Sequence, residues 1–195
     1  MAPLVYFVRH GQTDWNAENR LQGQADTDIN SLGRTQADGN GARLAGLVAA
    51  PENFDFVASP MRRTRETMER IRVAMGLERG GYRIDPRLVE IHFGDWQGFT
   101  YRDLELRQPG VAERRARDKW RFVPPGAGAE SYASLVDRIR PAVAEFTRPT
   151  VCVTHGGVLR LLFHILTGMP GERAVELEIP QDRILRWKDG ALDWL

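Results

Sequence analysis

Three short segments rich in β-branched and aromatic residues most constrain how this chain can fold. They span residues 4–8, 54–58 and 150–154, and each is followed by a segment typical of a helix. Their length and composition indicate strands buried on both faces of a sheet. Strands that alternate with helices form βαβ units, whose strands run parallel. We therefore expect an α/β fold, a three-layer sandwich with a mostly parallel central sheet and helices on both faces.

The helical segments have recognisable boundaries. Ser31 is placed to cap a helix that runs to about residue 50, with Leu32, Leu44, Leu47 and Val48 among its apolar positions. The pattern predicts further helices over residues 61–75, 131–146 and 157–167. Residues 175–179 alternate as in a strand, and the final two strand-like segments flank the hairpin dipeptide Asp189-Gly190.

The length of 195 residues fits one domain with a small insertion. Two charged, helix-like stretches at residues 100–107 and 111–121 interrupt the βαβ alternation. We interpret residues 1–195 as a single domain in which residues 99–130 form an insertion or lid. The basic cluster of that stretch, Arg114 to Arg121, has two interpretations: a solvated helix face, or a surface that attracts an anionic substrate.

Composition excludes several classes of function. The 27 basic and 26 acidic residues leave a net charge of +1, which argues against a nucleic-acid partner. A single cysteine, Cys152, excludes an internal disulfide and zinc sites built from several cysteines. The apolar runs are too short to span a bilayer, so we expect a cytoplasmic protein without a membrane partner. The terminal hairpin either closes the sheet or pairs with a neighbour's edge, which leaves a homodimer open.

Charged and polar residues follow each of the three predicted strands. Arg9 and His10 follow the first, a segment from Ser59 to Arg63 follows the second, and His155 follows the third. In an open parallel sheet, functional residues gather beyond the carboxyl ends of the strands. We therefore expect these side chains to share one site.

The residue types at these strand ends suit a phosphate ester. A guanidinium offers a planar fork of donors that matches two phosphate oxygens, so Arg9 and Arg63 can clamp one phosphoryl group. Asn16 can add an uncharged donor, and Gly23 allows the backbone to approach the ligand. Gly156 opens a helix whose first N–H groups favour an anion.

The remaining groups can carry a covalent reaction. An unprotonated imidazole nitrogen of His10 can attack phosphorus, and histidine, with an unperturbed pKa near 6.5, needs little adjustment to do so at neutral pH. The leaving alkoxide needs a proton, which Glu90, standing among apolar neighbours, can supply. His155 is placed to bind the phosphoryl oxygens and stabilise charge during transfer.

Four segments of the chain resemble the histidine phosphatase superfamily, the phosphoglycerate-mutase-like proteins. Arg9-His10-Gly11 matches the family's opening signature, and the stretch from Arg9 to Gly23 resembles its first segment. The residues from Ser59 to Thr67 resemble the second arginine motif. Those from Glu90 to Gly98 resemble the proton-donor segment, and Thr154-His155-Gly156-Gly157 the second histidine motif.

The resemblance implies a phosphohistidine intermediate on His10 and neither metal nor cofactor. It also implies catalytic roles for Arg9, Arg63, Glu90 and His155. The positions that the resemblance and the chemistry together assign to phosphate binding are Asn16, Gln22, Gly23 and Gly156.

Within the family, the sequence favours the phosphatase branch over cofactor-dependent mutases. Such mutases carry a lysine shortly after the glutamate segment, where this chain has Tyr101, and an Asn where it has Gly157. Their substrate-gripping arginine pair is matched only loosely by Arg114 and Arg115 in spacing. The prediction is a metal-independent hydrolase of small phosphomonoesters. A phosphoglycerate mutase, a metal-dependent hydrolase and a non-catalytic phospho-ligand binding module are the alternatives.

Overall fold

A computed structural model describes residues 3–195, and its six strands form one sheet in the order β3-β2-β4-β1-β5-β6. The first four strands in this order run parallel, whereas β5 is antiparallel to β1 and β6 is antiparallel to β5. The expected mostly parallel α/β fold is therefore confirmed. The strands are β1 (Val5–Arg9), β2 (Asp55–Ala58), β3 (Arg83–Ile84), β4 (Thr150–Thr154), β5 (Ile184–Lys188) and β6 (Ala191–Trp194).

Helices follow most strands, as the βαβ pattern predicts, and two short helices lie within residues 99–130, the stretch that the sequence analysis interprets as an insertion or lid. The helices are α1 (Asp14–Ala17), α2 (Ser31–Leu47), α3 (Arg62–Ala74), α4 (Tyr101–Arg107), α5 (Val111–Arg117), α6 (Tyr132–Ala144), α7 (Gly156–Thr167) and α8 (Gly171–Ala174). None of the helices within residues 3–195 is long and apolar enough to cross a bilayer.

Two apolar cores lie on opposite faces of the sheet and give the fold its three layers. Successive side chains of a strand point to opposite faces, so β1 contributes to both cores. Val5 and Phe7 pack with buried residues of α6 and α7, whereas Tyr6 and Val8 pack with Leu44 of α2 and with buried residues of α3. Burial on both faces explains why these strands are apolar throughout.

The helix predicted from Ser31 begins and ends differently from expectation. Asn30 is its N-cap, because the Asn30 side chain accepts a hydrogen bond from the N–H of Gly33 at 2.9 Å. The helix ends at Leu47, and two of its four predicted apolar positions do not reach the core. Leu32 is 49% exposed and Leu47 is 45% exposed.

The strand predicted over residues 175–179 is wrong. The chain there follows the short helix α8, which ends at Ala174, and leads through a turn and an irregular connection to β5. Val175 and Ile179 are buried in the core that also contains α6 and α7. The alternating pattern therefore belongs to a loop whose apolar side chains point into this core. The second lid helix is also shorter than predicted, since it ends at Arg117.

The terminal hairpin is confirmed, and its two turn residues are those predicted. Asp189 and Gly190 have φ angles of 51° and 82°, the left-handed conformation that a tight two-residue hairpin turn requires. The hairpin adds β5 and β6 beside β1, so the start of β5 lies at the same edge of the sheet as the end of β1.

The backbone hydrogen bonds of the sheet continue one residue beyond β1 and one residue beyond β2. His10 N–H donates to the carbonyl of Thr154 at 3.0 Å, and Ser59 N–H donates to the carbonyl of Val153 at 3.1 Å. Because β4 lies between β1 and β2, the residues that follow these three strands are neighbours. The sheet therefore brings His10, Ser59 and His155 together at its carboxyl edge.

Candidate active site

Two histidines face each other at the carboxyl edge of the sheet. The ring centroids of His10 and His155 are 5.2 Å apart, with 62° between the ring planes. Both side chains are buried, and they follow the adjacent parallel strands β1 and β4. The juxtaposition of these imidazoles therefore follows directly from the strand order.

The tautomer of His10 is determined by a backbone contact. Its Nδ1 lies 2.8 Å from the carbonyl oxygen of Gly11, which can only accept, so Nδ1 carries the hydrogen. Burial, reinforced by the positive charges of Arg63 and Arg9, lowers the pKa of His10 well below its usual 6.5. The ring is therefore neutral at physiological pH, and its Nε2 has a free lone pair.

The loop that carries His10 is held by close backbone packing. A Cβ atom on Gly11 would lie 2.2 Å from the carbonyl oxygen of Gly33 at the start of α2, so no larger residue fits. Gly11 N–H also donates to the hydroxyl of Thr67 in α3 at 3.0 Å. Both helices on this face of the sheet thus restrain the orientation of His10.

His155 is oriented by a residue to which the sequence analysis gave no role. Its Nε2 lies 2.8 Å from Oγ of Ser59, and its Nδ1 is buried without a hydrogen-bond partner among the described residues. Burial, with Arg63 as the largest charged contribution, lowers the pKa of His155 well below 6.5. His155 touches His10 but is not among the residues that line the adjacent cavity.

Arg63 is the arginine of the second motif that points inward. It lies in the first turn of α3 and is completely buried, whereas Arg62 and Arg65 are exposed. Its Nη1 and Nη2 donate to the carbonyls of Ala25 and Gly23, both at 2.7 Å. Each of these Nη groups keeps a second hydrogen, and Nε is buried without a partner among the described residues, so the clamp expected of Arg63 stays a prediction.

Arg9 approaches the same cavity from β1. Its Nη1 donates to the carbonyl of Ile179 at 2.7 Å, and its Nε is buried without a hydrogen-bond partner within residues 3–195. Burial lowers the pKa of Arg9 to about 10, and the nearby charge of Glu90 partly opposes this shift. Burial likewise lowers the pKa of Arg63 to about 10. Both guanidiniums remain protonated at neutral pH.

Glu90 lies on the cavity wall and is held by backbone donors. Its Oε1 accepts from the N–H of Ile91 at 2.9 Å, and its Oε2 accepts from the N–H of Gly157 at 3.0 Å. Gly157 belongs to the first turn of α7, so one of the helix N–H groups expected to bind the phosphate is already used by Glu90. The rest of that turn frames the cavity through Gly156.

The four predicted phosphate-binding residues all line this cavity, which has a volume of about 120 Å³. Oδ1 of Asn16 accepts from the Thr13 N–H and from the Gln181 side chain, so its amide NH2 is free to face a ligand. Gln22 accepts from the Thr27 hydroxyl at 2.7 Å. The remaining walls come from Arg9, His10, Arg20, Leu21, Arg63, Glu90, Phe93, Tyr132 and Arg160.

The basic cluster of the lid does not act as one surface. Arg117 and Arg121 form exposed ion pairs with acidic neighbours, and Lys119 pairs with Glu176. Arg115 is buried and lies over the rings of Phe93 and Tyr101. The lid cations thus divide into a solvated outer face and one inward residue.

Four residues close to the cavity received no role in the sequence analysis. Ser59 contacts His155, Gln181 contacts Asn16, and Tyr132 and Arg160 line the wall. Arg160 had a recognisable signal, since it is the one charged residue in the otherwise apolar first two turns of α7. Ser59 follows β2 directly, so its place at the strand end is a signal as well, whereas Gln181 and Tyr132 come close only through tertiary folding.

The chain matches a known protein family over most of its length. The family model for the histidine phosphatase superfamily (branch 1) matches residues 5–190. A glucosyl-3-phosphoglycerate phosphatase from Mycolicibacterium vanbaalenii is 39% identical over 180 residues, which cover 85% of this chain and 75% of that protein. A probable phosphoglycerate mutase from Serratia proteamaculans is 31% identical over 206 residues, which cover 98% of this chain and 87% of that protein.

The fold is also shared with a solved enzyme of this family. The structure of a mycobacterial glucosyl-3-phosphoglycerate phosphatase in complex with VO3 has a TM-score of 0.81, with 32% identity. The match covers 100% of this chain and 96% of that one. The chain therefore belongs to the histidine phosphatase superfamily. Within it, the chain is a phosphatase, an enzyme that hydrolyses phosphomonoesters.

Proposed function

We propose that the enzyme hydrolyses its substrate through a covalent phosphohistidine on Nε2 of His10. This proposal rests on the free lone pair of that nitrogen, which the Nδ1–H contact to Gly11 orients. Three nearby donor nitrogens are buried without a hydrogen-bond partner among the described residues: Nε of Arg9, Nε of Arg63 and Nδ1 of His155. A neutral imidazole is nucleophilic, and burial with two nearby guanidiniums keeps the ring neutral.

The first step transfers the phosphoryl group to His10. Nε2 attacks phosphorus as the bond from phosphorus to the alcohol oxygen breaks, and Glu90 gives its proton to that oxygen. The Nε groups of Arg9 and Arg63, with the Asn16 amide, bind the equatorial oxygens, where negative charge is concentrated. Nδ1 of His155, buried beside His10 without a partner, supplies a further donor to the transferred group.

The second step releases inorganic phosphate. Glu90, now a carboxylate, takes a proton from water as the water oxygen attacks phosphorus and the bond from phosphorus to Nε2 breaks. His10 regains its lone pair and Glu90 its proton, so the cycle needs no external co-reactant. No step requires a metal ion, and the two fixed guanidiniums beside His10 and Glu90 disfavour a divalent cation there.

The proposed substrate is a phosphorylated hydroxy acid that carries a sugar, the class for which the mycobacterial relatives are named. Mutase-type relatives also match the chain, so isomerisation of phosphoglycerate is the second candidate. Cofactor-dependent mutases carry other residues at the positions of Tyr101 and Gly157, and this difference favours hydrolysis over isomerisation. We further propose that the enzyme works as a single cytoplasmic domain, in which the lid contributes to specificity.

A phosphate-release assay with a panel of monoesters tests this function. We expect turnover of glucosyl-3-phosphoglycerate, unchanged in the presence of EDTA, and no isomer when 3-phosphoglycerate is supplied with bisphosphoglycerate. Isomer without free phosphate would support the mutase. Loss of activity in EDTA that zinc restores would support a metal-dependent hydrolase, and tight phosphate binding without turnover a binding module.

The role of Glu90 is tested by the choice of leaving group. Glu90→Gln should slow hydrolysis of an alkyl phosphate about 100-fold or more, because an alkoxide needs a proton to leave. Hydrolysis of p-nitrophenyl phosphate should slow much less, since p-nitrophenolate leaves without one. An equal loss for both substrates would assign Glu90 a role in binding or structure.

A further inference from the structure

Arg160 stands on the wall between the phosphate cavity and a second, larger cavity. This neighbouring cavity has a volume of about 530 Å³ and shares Arg9 and Arg160 with the phosphate cavity. Its other walls come from the connection before β5 and from the terminal hairpin. They are Glu178, Ile179, Pro180, Arg183 and Trp194. A substrate whose phosphoryl group lies near Arg9 thus has space for its alcohol portion beyond Arg160.

The guanidinium of Arg160 has only neutral partners. Its Nε donates to the carbonyl of Leu177 at 2.9 Å, and its Nη1 lies 3.5 Å from the hydroxyl of Tyr132. Within residues 3–195, no carboxylate forms an ion pair with it. The half-buried Arg160 instead lies near other cations: its charge lowers the pKa of Arg9 and that of Lys119. A bound anion would stabilise a cation in these surroundings, and the described residues supply no anionic partner.

Arg160 and Arg9 converge on one small residue. A Cβ atom on Gly156 would lie 3.3 Å from Nε of Arg9 and 3.7 Å from Nη1 of Arg160. Gly156 therefore leaves the space between the two guanidiniums open. Two anionic groups a few bonds apart in one molecule can contact both arginines at once.

The charges in the cavity also leave one cation unmatched. In the reactive complex proposed above, Glu90 carries a proton and the phosphoryl group carries two negative charges. Four guanidiniums line the cavity. That of Arg20 forms an ion pair with Glu18, whereas those of Arg9, Arg63 and Arg160 have no carboxylate partner among residues 3–195. A second negative group on the substrate would balance the third.

We propose that Arg160 binds a carboxylate on the alcohol portion of the substrate, so that the enzyme selects phosphorylated hydroxy acids over uncharged alcohol phosphates. Guanidinium and carboxylate form paired, charge-assisted hydrogen bonds, which give this selectivity its strength. The inference rests on the proposed function, because it assumes that the phosphoryl group lies against Arg9 and His10. It assigns the selectivity for a carboxylate to a residue of α7, the helix that follows His155.

The test compares two inhibitors that differ only at the proposed contact. 3-Phosphoglycerate has a carboxylate where glycerol 3-phosphate has a hydroxymethyl group, and each competes with p-nitrophenyl phosphate. We expect the wild-type enzyme to bind 3-phosphoglycerate about 10- to 100-fold more tightly, and Arg160→Gln to remove this preference. Arg160→Lys should keep part of it, because the charge remains. Arg173→Gln, a substitution at an exposed arginine of α8, is the control for net charge and should keep all of it.

Each outcome separates this inference from the proposed function. Equal inhibition of the wild-type enzyme by the two compounds would overturn the carboxylate contact even if Arg160→Gln did not fold. An equal loss of both affinities in Arg160→Gln would make Arg160 part of the phosphoryl site and overturn its role in selectivity. Absence of p-nitrophenyl phosphate hydrolysis in the wild-type enzyme would instead contradict the proposed function.

Discussion

Ser59 Oγ lies 2.8 Å from Nε2 of His155, and this contact determines which nitrogen of that imidazole can face a ligand. The N–H of Met61 points at the same hydroxyl at 3.5 Å, which leaves the hydroxyl hydrogen available for donation to Nε2. With Nε2 as the acceptor, a neutral His155 carries its hydrogen on Nδ1, the buried atom that has no partner in the described chain. Ser59 thereby prepares His155 as a hydrogen-bond donor.

Ser59→Ala should therefore weaken catalysis through His155. We expect kcat to fall about 10- to 100-fold, because the donor nitrogen of the imidazole is no longer fixed. The free energy of unfolding should fall by about 1–3 kcal/mol, since Nε2 is left buried without a partner. Steady-state kinetics and chemical denaturation measure the two effects.

Thr64→Val is the matched control for this substitution. The Thr64 hydroxyl is also buried and donates to the carbonyls of Ser59 and Met61, but it does not touch His155. This variant should lose stability and keep kcat. A similar loss of kcat in both variants would show that loop stability, and not the histidine contact, matters.

Asn16→Asp tests whether the Asn16 amide faces the phosphoryl group. The carboxylate can still accept from Thr13 and Gln181, so the fold of the loop should be retained. Repulsion between two anions should lower kcat/KM about 100-fold or more. Asn19→Asp adds the same charge at an exposed position nearby and should change kcat/KM less than about threefold. Unchanged kinetics in Asn16→Asp would place the amide outside the site.

Arg63→Lys should affect both catalysis and the loop that Arg63 holds. Lysine cannot donate to Ala25, Gly23 and a phosphoryl oxygen in the same planar geometry. We expect kcat/KM to fall about 100-fold and amide exchange at residues 23–25 to become faster. Arg62→Lys, which alters an exposed ion pair with Asp28, should change neither kcat/KM nor amide exchange at residues 23–25. Slow exchange in Arg63→Lys would contradict the anchoring role.

Stability should decrease in mild acid because of the two buried histidines. The pKa of each is lowered in the folded protein, so the unfolded chain binds more protons than the native state below about pH 6.5. The contribution of the two histidines to the free energy of unfolding is complete above this pH, and it is lost as the pH falls toward their pKa values in the folded protein. Each histidine adds a slope of at most about 1.4 kcal/mol per pH unit to the free energy of unfolding.

Urea denaturation between pH 7.5 and 5 measures this dependence. His155→Asn should reduce the slope, because one of the two titrating groups is removed. His164→Asn is the control, since His164 lies on the opposite end of α7 with its Nδ1 beside the carbonyl of Met169. An unchanged slope in His155→Asn would show that other groups dominate the acid response.

The sequence predicts the central fold well because its strands are buried on both faces. β1, β2 and β4 are short apolar segments with few other stable arrangements, and the capping box of Ser131 marks the start of α6. The segment before β5 was misread because a buried loop and a strand can share an alternating pattern. Ser31 was misread as a cap because Asn30 beside it is an equally good one.

The site is predictable where strand ends determine it and unpredictable where loops from distant parts of the chain meet. His10 and His155 are neighbours because β1 and β4 are neighbours. How Arg63 divides its donors depends on the path of residues 23–25, which no local pattern encodes. Gln181 reaches Asn16 from the connection before β5, far along the chain from it, so its role required coordinates.

The most direct test of the account is to identify the phosphorylated residue during turnover. Enzyme mixed with substrate, quenched in alkali and digested for peptide mass spectrometry should carry one phosphoryl group on His10. The adduct should be labile to acid, and His10→Ala should form none and lose turnover at least 1,000-fold, as expected for loss of a covalent nucleophile. Near wild-type activity in His10→Ala, or a phosphoryl group on another residue, would contradict the account.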